Sequence, residues 1–129
     1  MLEAGLPCDA RFTQVTAELA KARGIRMRIL PVTNDPLRTV IRTPRGDLAF
    51  QDYLVRRRAK PRVVGVHLQG ARRARPAPGV LEAIAGARLV LLAPSNPFVS
   101  IGPMLAVPGV RAALAAARPR VVAVSPLIG

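Results

Sequence analysis

The sequence predicts an α/β fold with a mainly parallel sheet, and three observations lead to this expectation. Residues 89–92 and 121–124 are continuous apolar runs without alternation, which is typical of parallel strands covered on both faces. Residues 63–68 form a third strand-like run. Helical patterns separate the three runs, and alternating strands and helices predict βαβ units.

The helices between these strands are short. Residues 79–86 predict the first, which follows a proline-rich loop over residues 72–78. Residues 100–106 and 109–117 predict two further pieces that Pro108 separates, because proline lacks the N–H that a helix interior uses.

Toward the N-terminus, Thr13 is predicted to cap a helix over residues 14–23 that ends at Gly24. Residues 25–32 alternate apolar and basic side chains, which predicts a strand with one face in the core. The helix positions expected to face the core are Val15, Leu19 and Ala22.

A small hairpin-and-helix insertion is predicted next. Residues 37–43 and 48–50 have strand composition and flank the turn signal 44–47. Residues 51–58 predict a short helix.

Composition limits both the core and the class of protein. Half of the chain is hydrophobic but only 3% is aromatic, so a core of Ala, Val, Leu and Ile is expected. No apolar run approaches the roughly 18 residues of a membrane span, and the N-terminus lacks the pattern of a signal peptide. Cys8 is the only cysteine, which excludes an internal disulfide framework and a cysteine cluster for zinc. A soluble, cytoplasmic protein with no membrane partner is expected.

The net charge of +13 raises the question of nucleic-acid binding. The pattern argues against it, because the arginines are scattered and no aromatic residues interleave with them to stack bases. Local groups occur only at residues 56–58 and 72–73. We therefore expect no nucleic-acid partner and favour anionic small-molecule ligands.

The turn after the apolar run 89–92 is the first candidate site. Ligands of open α/β sheets bind beyond the carboxyl ends of the parallel strands. Ser95 and Asn96 supply short polar side chains there, and Ser100 begins the next helical pattern. One interpretation is a cradle for phosphate or diphosphate at a helix N-terminus. The other is a plain strand-to-helix turn with Ser100 as N-cap.

Two further segments carry polar side chains that suit a ligand. The first contains Asn34, Asp35, Arg38 and Thr39, and is either an ordinary Asx-type turn or a contact for a polar ligand. The second places Phe50 and Tyr53 shortly before the arginines 56–58, which either contact a phosphorylated substrate or form a solvated helix end. No arrangement of two metal-binding carboxylates is evident.

Several segments, in this order and spacing, resemble the 2-phospho-L-lactate transferase (CofD) family. In actinobacteria its members act as phosphoenolpyruvate transferases in the biosynthesis of coenzyme F-420. The resemblance extends over most of the chain from about residue 12. The segments that carry it are residues 29–39, 46–58, 74–84, 94–97 with 100–103, and 124–129.

The resemblance implies a Rossmann-like three-layer fold and a magnesium-assisted reaction. Such enzymes take a 2-phospholactyl or enolpyruvyl-phosphoryl group from a guanosine diphosphate-linked donor, pass it to the deazaflavin Fo and release GMP. It implies that Ser95, Asn96 and Ser100 bind the donor phosphates or nucleotide, and it is compatible with a homodimer. The residues that it implies on the deazaflavin side are Asn34, Asp35, Arg38, Thr39, Phe50 and Tyr53.

The sequence departs from the family in lacking its glycine-rich first turn and the aspartates expected to hold magnesium. We therefore expect residues 1–129 to be the central part of a single domain that is incomplete at both ends, with its Mg²⁺ ligands elsewhere. Residues 25–58 would line the acceptor side, and 62–129 would form βαβ units with the phosphate-binding loop. By itself the chain is expected neither to turn over nor to bind magnesium well.

Three alternatives remain at this point. The first is a CofD-like regulator that binds nucleotide-sugars. The second is an inactive, truncated gene product, and the third is a basic nucleic-acid-binding module.

Overall fold

The computed structural model describes residues 11–126. Residues 1–10, with Cys8, and residues 127–129, at the end of the last motif, lie outside the described residues. Four α-helices are described: α1 (Arg11–Ala22), α2 (Val80–Gly86), α3 (Gly102–Ala106) and α4 (Val110–Ala116). Five strands are described: β1 (Arg38–Thr43), β2 (Gly46–Ala49), β3 (Gly65–Gln69), β4 (Val90–Leu92) and β5 (Val121–Ala123). Two π-helices, Asp52–Arg56 and Pro97–Ile101, complete the elements around the candidate site.

Helix α1 confirms the predicted N-terminal helix and its end. Gly24 adopts a left-handed φ of 68°, its N–H donates to Lys21, and Ile25 donates to Ala20, which together form a Schellman motif. The predicted start is wrong, because Thr13 lies inside the helix. The predicted core face is also wrong: Ala20 is buried, whereas Val15 and Leu19 are 38% and 59% exposed.

The strand predicted over residues 25–32 is absent, because no described strand lies beside this segment to pair with it. The segment has no regular secondary structure and is attached at its end, where Ala77 donates its N–H to the Val32 carbonyl at 3.0 Å. Leu30 and Val32 pack against the core. The apolar side chains expected to face inward are instead exposed: Ile25, Met27 and Ile29.

The hairpin of β1 and β2 is confirmed, but the sheet around it is antiparallel. Its strand order is β2-β1-β3, and Val40 of β1 lies opposite Ala49 on one side and His67 on the other. The mainly parallel sheet predicted from the βαβ pattern is therefore wrong for this half. The short hairpin return reverses the chain, and after the π-helix Asp52–Arg56 strand β3 joins the other edge of β1.

Strands β4 and β5 confirm the parallel pairing predicted for the two apolar runs. Val90 lies opposite Val121, and the connection between the strands passes through α3 and α4. The expectation that both faces are covered is wrong within the described residues. One face of the pair is exposed along its length, through Leu89 (62%), Leu91 (59%), Val122 (49%) and Val124 (47%).

The core is built from small aliphatic side chains, as the composition predicts. It lies between the segment before β1 and helices α2 and α4. Arg120 lies just before β5. Its guanidinium donates hydrogen bonds to the Ala85 and Ala87 carbonyls at the C-terminal end of α2 and so connects the two elements. The buried core residues are Ala74, Ala77, Val80, Val107 and Val110, with Leu37, Leu81, Ile84 and Leu114 partly buried against them.

The helical pieces around Pro108 are confirmed, with α3 and α4 on either side of it. Within residues 11–126, no single helix has the length and apolar composition to cross a bilayer. The segments Pro97–Ala106 and Val110–Ala116 meet those criteria only when taken together, and a 91° bend separates them.

Candidate functional site

An open groove of about 750 Å³ joins two of the three segments predicted to bind ligands. One wall comes from the segment after β2, through Phe50 and Tyr53. The opposite wall comes from the turn and π-helix after β4, through Asn96 and Phe98. The floor and rim are apolar and are formed by Ile41, Leu54, Val63, Val64, Gly65, Val66 and Val99.

The aromatic residues of this chain are concentrated in the groove. The sequence has three Phe, one Tyr and no Trp, and Phe50, Tyr53 and Phe98 all line this one space. Phe98 is 70% exposed, although a large aromatic ring normally gains free energy by burial. Aromatic walls around an apolar floor are suited to a flat ring system.

Hydrogen bonds fix the Tyr53 side of the groove. The Tyr53 hydroxyl donates to the Ala59 carbonyl at 3.1 Å, and the Ala59 N–H donates back to the Tyr53 carbonyl at 2.9 Å. Arg58 and Ala59 both adopt a positive φ, of 49° and 54°, to make this turn. Since the hydroxyl is engaged with the chain, Tyr53 presents its ring to the groove.

Asn96 is the N-cap of the helix that forms the opposite wall. Its side-chain oxygen accepts from the N–H groups of Phe98 and Val99, at 2.9 and 3.2 Å. Pro97 has no N–H, and Ser100 donates its own to the Asn96 carbonyl. The proposed role of Ser100 as N-cap is therefore wrong, since Ser100 lies inside the π-helix. The first backbone donors of this helix are occupied, so an anion would have to contact side chains.

The turn with Asn34 and Asp35 is closed by bonds within the chain. Asn34 is buried, and its side-chain oxygen accepts from the Thr13 N–H and hydroxyl, each at 3.0 Å. The Thr33 hydroxyl accepts from the Asp35 N–H at 3.0 Å, as in the ordinary turn that was one of the two interpretations. The Asp35 carboxylate accepts from the Arg75 N–H at 2.7 Å.

The Arg75 backbone hydrogen bond is also the main reason why the pKa of Asp35 is lowered. Desolvation of the carboxylate acts in the opposite direction and raises the pKa. The Arg75 side chain lowers the pKa further, through a hydrogen bond and its charge. The guanidinium lies 3.5 Å from the carboxylate. Asp35 therefore links the turn to the segment before α2.

The remaining predicted residues lie outside the groove. Arg38 and Thr39 begin β1 and lie opposite Gln69 and Leu68 of β3. Ser95 is half-buried beside Asn96 and is not part of the groove wall. The structure thus brings together three of the predicted residues: Phe50, Tyr53 and Asn96.

The described residues do not fit a magnesium ion. Within residues 11–126, no three side chains among His, Cys, Asp and Glu come together as metal ligands. The three described aspartates are each paired with an arginine, so a divalent cation would have to compete with a guanidinium for each carboxylate. These pairs are Asp35–Arg75 at 3.5 Å, Asp47–Arg42 at 3.6 Å and Asp52–Arg56 at 3.2 Å.

Phe98 is the main groove residue that sequence reasoning missed. It stands two positions after Asn96, in a segment interpreted only as a polar turn. A signal was present, because an aromatic residue next to a proline turn is conspicuous in a chain with four aromatic residues.

The fold is mixed α/β, and the groove lies between the antiparallel sheet and the turn that follows β4. A family model described as 2-phospho-L-lactate transferase CofD matches residues 1–129. The chain belongs to this family.

Curated relatives agree with the family match. The 2-phospho-L-lactate transferase of Methanosarcina mazei is 42% identical over 120 residues, which make up 93% of this chain and 39% of the relative. The phosphoenolpyruvate transferase of Streptomyces coelicolor is 44% identical over 133 aligned residues, with 100% of this chain and 40% of the relative. The chain therefore spans about two fifths of the length of these curated relatives.

Solved structures support the fold. A protein of the UPF0052 family from Bacillus halodurans superimposes with a TM-score of 0.61 at 24% identity, covering 80% of this chain and 33% of that one. A second structure from the same organism gives 0.62 at 23% identity, with 88% and 35% coverage. At this identity the similarity concerns the fold alone.

Proposed function

We propose that this chain supplies the acceptor-binding part of a transferase in coenzyme F-420 biosynthesis. The observation that carries the proposal is the groove, in which three of the four aromatic residues meet in a member of the CofD family. Relatives named 2-phospho-L-lactate transferase and phosphoenolpyruvate transferase support a transferase reaction.

The proposed acceptor is the deazaflavin Fo, a flat tricyclic ring with a ribityl chain. Phe50, Tyr53 and Phe98 would stack against the ring and exclude water from its faces. A volume of about 750 Å³ lies within the range of small-molecule sites.

Asn96 has a positioning role in this proposal. By capping the π-helix it fixes where Phe98 stands, so its effect on Fo acts through the aromatic wall. Ser95 and Ser100 remain candidates for contact with the donor phosphates through their hydroxyl groups. Any Mg²⁺ ligands are assigned to residues outside the described range, because no cluster of metal-ligating side chains is found within it.

The proposed reaction is attack of the terminal ribityl hydroxyl of Fo on a guanosine diphosphate-linked donor. The attacked phosphorus carries the lactyl or enolpyruvyl group. A new P–O bond forms to the ribityl oxygen, the diphosphate bond breaks, and GMP leaves with the electron pair while the hydroxyl proton is released. Such displacements depend mainly on positioning and charge neutralisation.

Titration of Fo into the 129-residue chain by isothermal calorimetry tests the acceptor assignment. Phe98→Ala is expected to weaken binding about tenfold, because a stacking face is lost and tenfold corresponds to about 1.4 kcal/mol. Phe12→Ala is the matched control, since Phe12 is 60% exposed on α1 and outside the groove. The control is expected to change the affinity less than twofold.

Equal effects of the two substitutions, or no saturable heat with Fo, would contradict the assignment. The reaction itself is tested separately, by GMP release from donor and Fo in a protein that contains this sequence together with the segments its relatives have in addition. If that protein binds Fo but releases no GMP, the result would support the proposed acceptor site and contradict the proposed transferase reaction.

A further inference from the structure

Strand β3 (Gly65–Gln69) is an open edge of the antiparallel sheet. In the order β2-β1-β3 it pairs with β1 on one side, and no described strand lies on its other side. Three valines on and just before this strand are exposed: Val63 (42%), Val64 (51%) and Val66 (40%). An apolar edge strand with one unpaired side is a template for pairing with a further strand.

The β3 edge also lacks charge. Residues 63–69 contain no charged side chain at neutral pH, in a chain with 20 Lys and Arg residues. The opposite edge of the sheet differs, because β2 has only four residues and its Asp47 pairs with Arg42. Short length and charged side chains are the features by which edge strands avoid unwanted pairing. The β2 edge therefore has a protection that the β3 edge does not have.

We propose that two copies of this chain associate by antiparallel pairing of their β3 edges. The uncharged residues 63–69 are centred on Val66, so a two-fold axis there places Val66 opposite Val66 of the second copy. Arg62, the nearest cation, then lies opposite Gly70. No like charges face each other in this register, and facing like charges would oppose the pairing. The product is a six-stranded sheet in the order β2-β1-β3-β3-β1-β2.

Charge favours a second copy over a charged partner at this edge. A partner that binds through ion pairs finds no side chain of either sign along residues 63–69. The net charge of +13 repels a second copy at a distance, but physiological ionic strength screens this repulsion beyond about 8 Å. At the contact itself only uncharged residues meet.

The pairing would extend the aromatic groove. Residues 63–66 line this groove together with Ile41, which lies opposite Val66 in the ladder of β1 and β3. A two-fold axis perpendicular to the sheet keeps the grooves of both copies on the same face. Each apolar floor would then continue into the floor of the other copy. The second copy thereby supplies a border to a site that is open in the single chain.

Sedimentation equilibrium of the full 129-residue chain at physiological ionic strength measures the association. A dimer is expected for the parent chain. Val66→Lys is expected to weaken dimerisation at least tenfold, because two lysines would face each other across the axis in place of an apolar contact. Val122→Lys is the matched control, since Val122 is an exposed strand valine (49%) of the β4–β5 pair. The control is expected to change the dimerisation constant less than threefold.

A mixture of two variants separates loss of pairing from loss of folding. Val66→Glu alone is also expected to be monomeric, whereas its equimolar mixture with Val66→Lys is expected to dimerise, because opposite charges then face each other. Circular dichroism checks that each variant folds. If either does not fold, Val66→Cys in a Cys8→Ser background replaces them. Directly opposite residues of antiparallel strands lie within disulfide distance, so mild oxidation is expected to give a covalent dimer.

Three results would overturn the proposal. They are a monomeric parent chain, a mixture of the two folded Val66 variants that stays monomeric, and weakening by Val122→Lys that equals or exceeds that by Val66→Lys. The last would place the contact on the exposed face of β4 and β5 instead. If the cysteine variant is used, absence of a covalent dimer also overturns it. Association is measured without Fo, so failure here leaves the acceptor assignment unaffected, and failure of Fo binding leaves the pairing unaffected.

Discussion

Asn34 caps helix α1 from a distance. Its side-chain oxygen lies 3.0 Å from both the backbone nitrogen and the hydroxyl of Thr13, 21 positions earlier in the chain. Thr13 is in the first turn of α1, where backbone N–H groups have no partner within the helix. Asn34 is 7% exposed, so the contact that joins the helix to the turn before β1 is largely shielded from solvent.

Asn34→Ala is therefore expected to destabilise the fold by about 1–3 kcal/mol, because a helix N–H and a hydroxyl lose their acceptor in a buried setting. The free energy of unfolding, measured by urea titration, checks this value. Asn34→Asp keeps an acceptor oxygen at the same place and is expected to retain more of the stability than the alanine variant. An alanine variant as stable as the parent chain would contradict the capping role.

This contact also explains why the first half of the fold was only partly predictable. Local signals were sufficient for the end of α1 at Gly24 and for the β1–β2 hairpin, since each depends on a few adjacent residues. The start of α1 was not predictable, because its cap lies in another segment. The partner of β3 was missed for a related reason: the βαβ pattern places it in a mainly parallel sheet, whereas it pairs antiparallel with β1, in an earlier segment.

The ion pair between Asp35 and Arg75 predicts a pH dependence of stability. The hydrogen bond from the Arg75 N–H lowers the pKa of Asp35 below its ordinary value of 3.8 in the folded state. A group with a lowered folded-state pKa stabilises the fold fully above its unfolded pKa and loses that contribution as the pH falls through the folded pKa. The loss is therefore expected below pH 3.8.

Urea unfolding of the parent chain and of Asp35→Asn, compared between pH 7 and pH 2, measures this contribution. The parent chain is expected to be the more stable of the two at pH 5–7, and the difference is expected to shrink below pH 3.8. A difference that stays constant down to pH 2 would show that the Asp35 charge contributes nothing.

Gly70 lies where the chain passes close to the turn before β1. Its φ is 89°, and a Cβ placed on it would stand 2.2 Å from the Pro36 carbonyl oxygen. Gly70→Ala is expected to cost roughly 3 kcal/mol or more, because a steric clash with the backbone adds to the strain of a left-handed residue. Thermal unfolding measures the effect.

Gly24→Ala is the matched control for Gly70. Gly24 also has a positive φ, of 68°, but an added Cβ there meets nothing within 4 Å. Gly24→Ala is expected to lower the free energy of unfolding by only about 1–2 kcal/mol, which is the strain of the left-handed conformation. Similar costs at the two positions would show that the segment around Pro36 moves away freely.

The aromatic groove shows how far a site can be predicted from one sequence. Phe50 and Asn96 were both selected as ligand contacts, on different grounds and as parts of different subsites. Their meeting in one groove depends on how the two sheets pack, and no local pattern encodes that packing. Asn34 and Asp35 were selected because short polar side chains serve turns and ligands alike, and here the turn uses them.

Two substitutions of Asn96 separate its role as a helix cap from a direct contact with the ligand. Asn96→Ala removes the acceptor for the Phe98 and Val99 N–H groups and is expected to destabilise the chain by about 1 kcal/mol. Asn96→Asp keeps the acceptor and places a negative charge at a helix N-terminus, so its free energy of unfolding is expected to match that of the parent within about 0.5 kcal/mol. If Asn96 acts only by holding Phe98 in the groove wall, Asn96→Asp also leaves Fo affinity unchanged in calorimetry. A tenfold loss of Fo affinity in this stable variant would indicate direct contact of the Asn96 amide with the ligand.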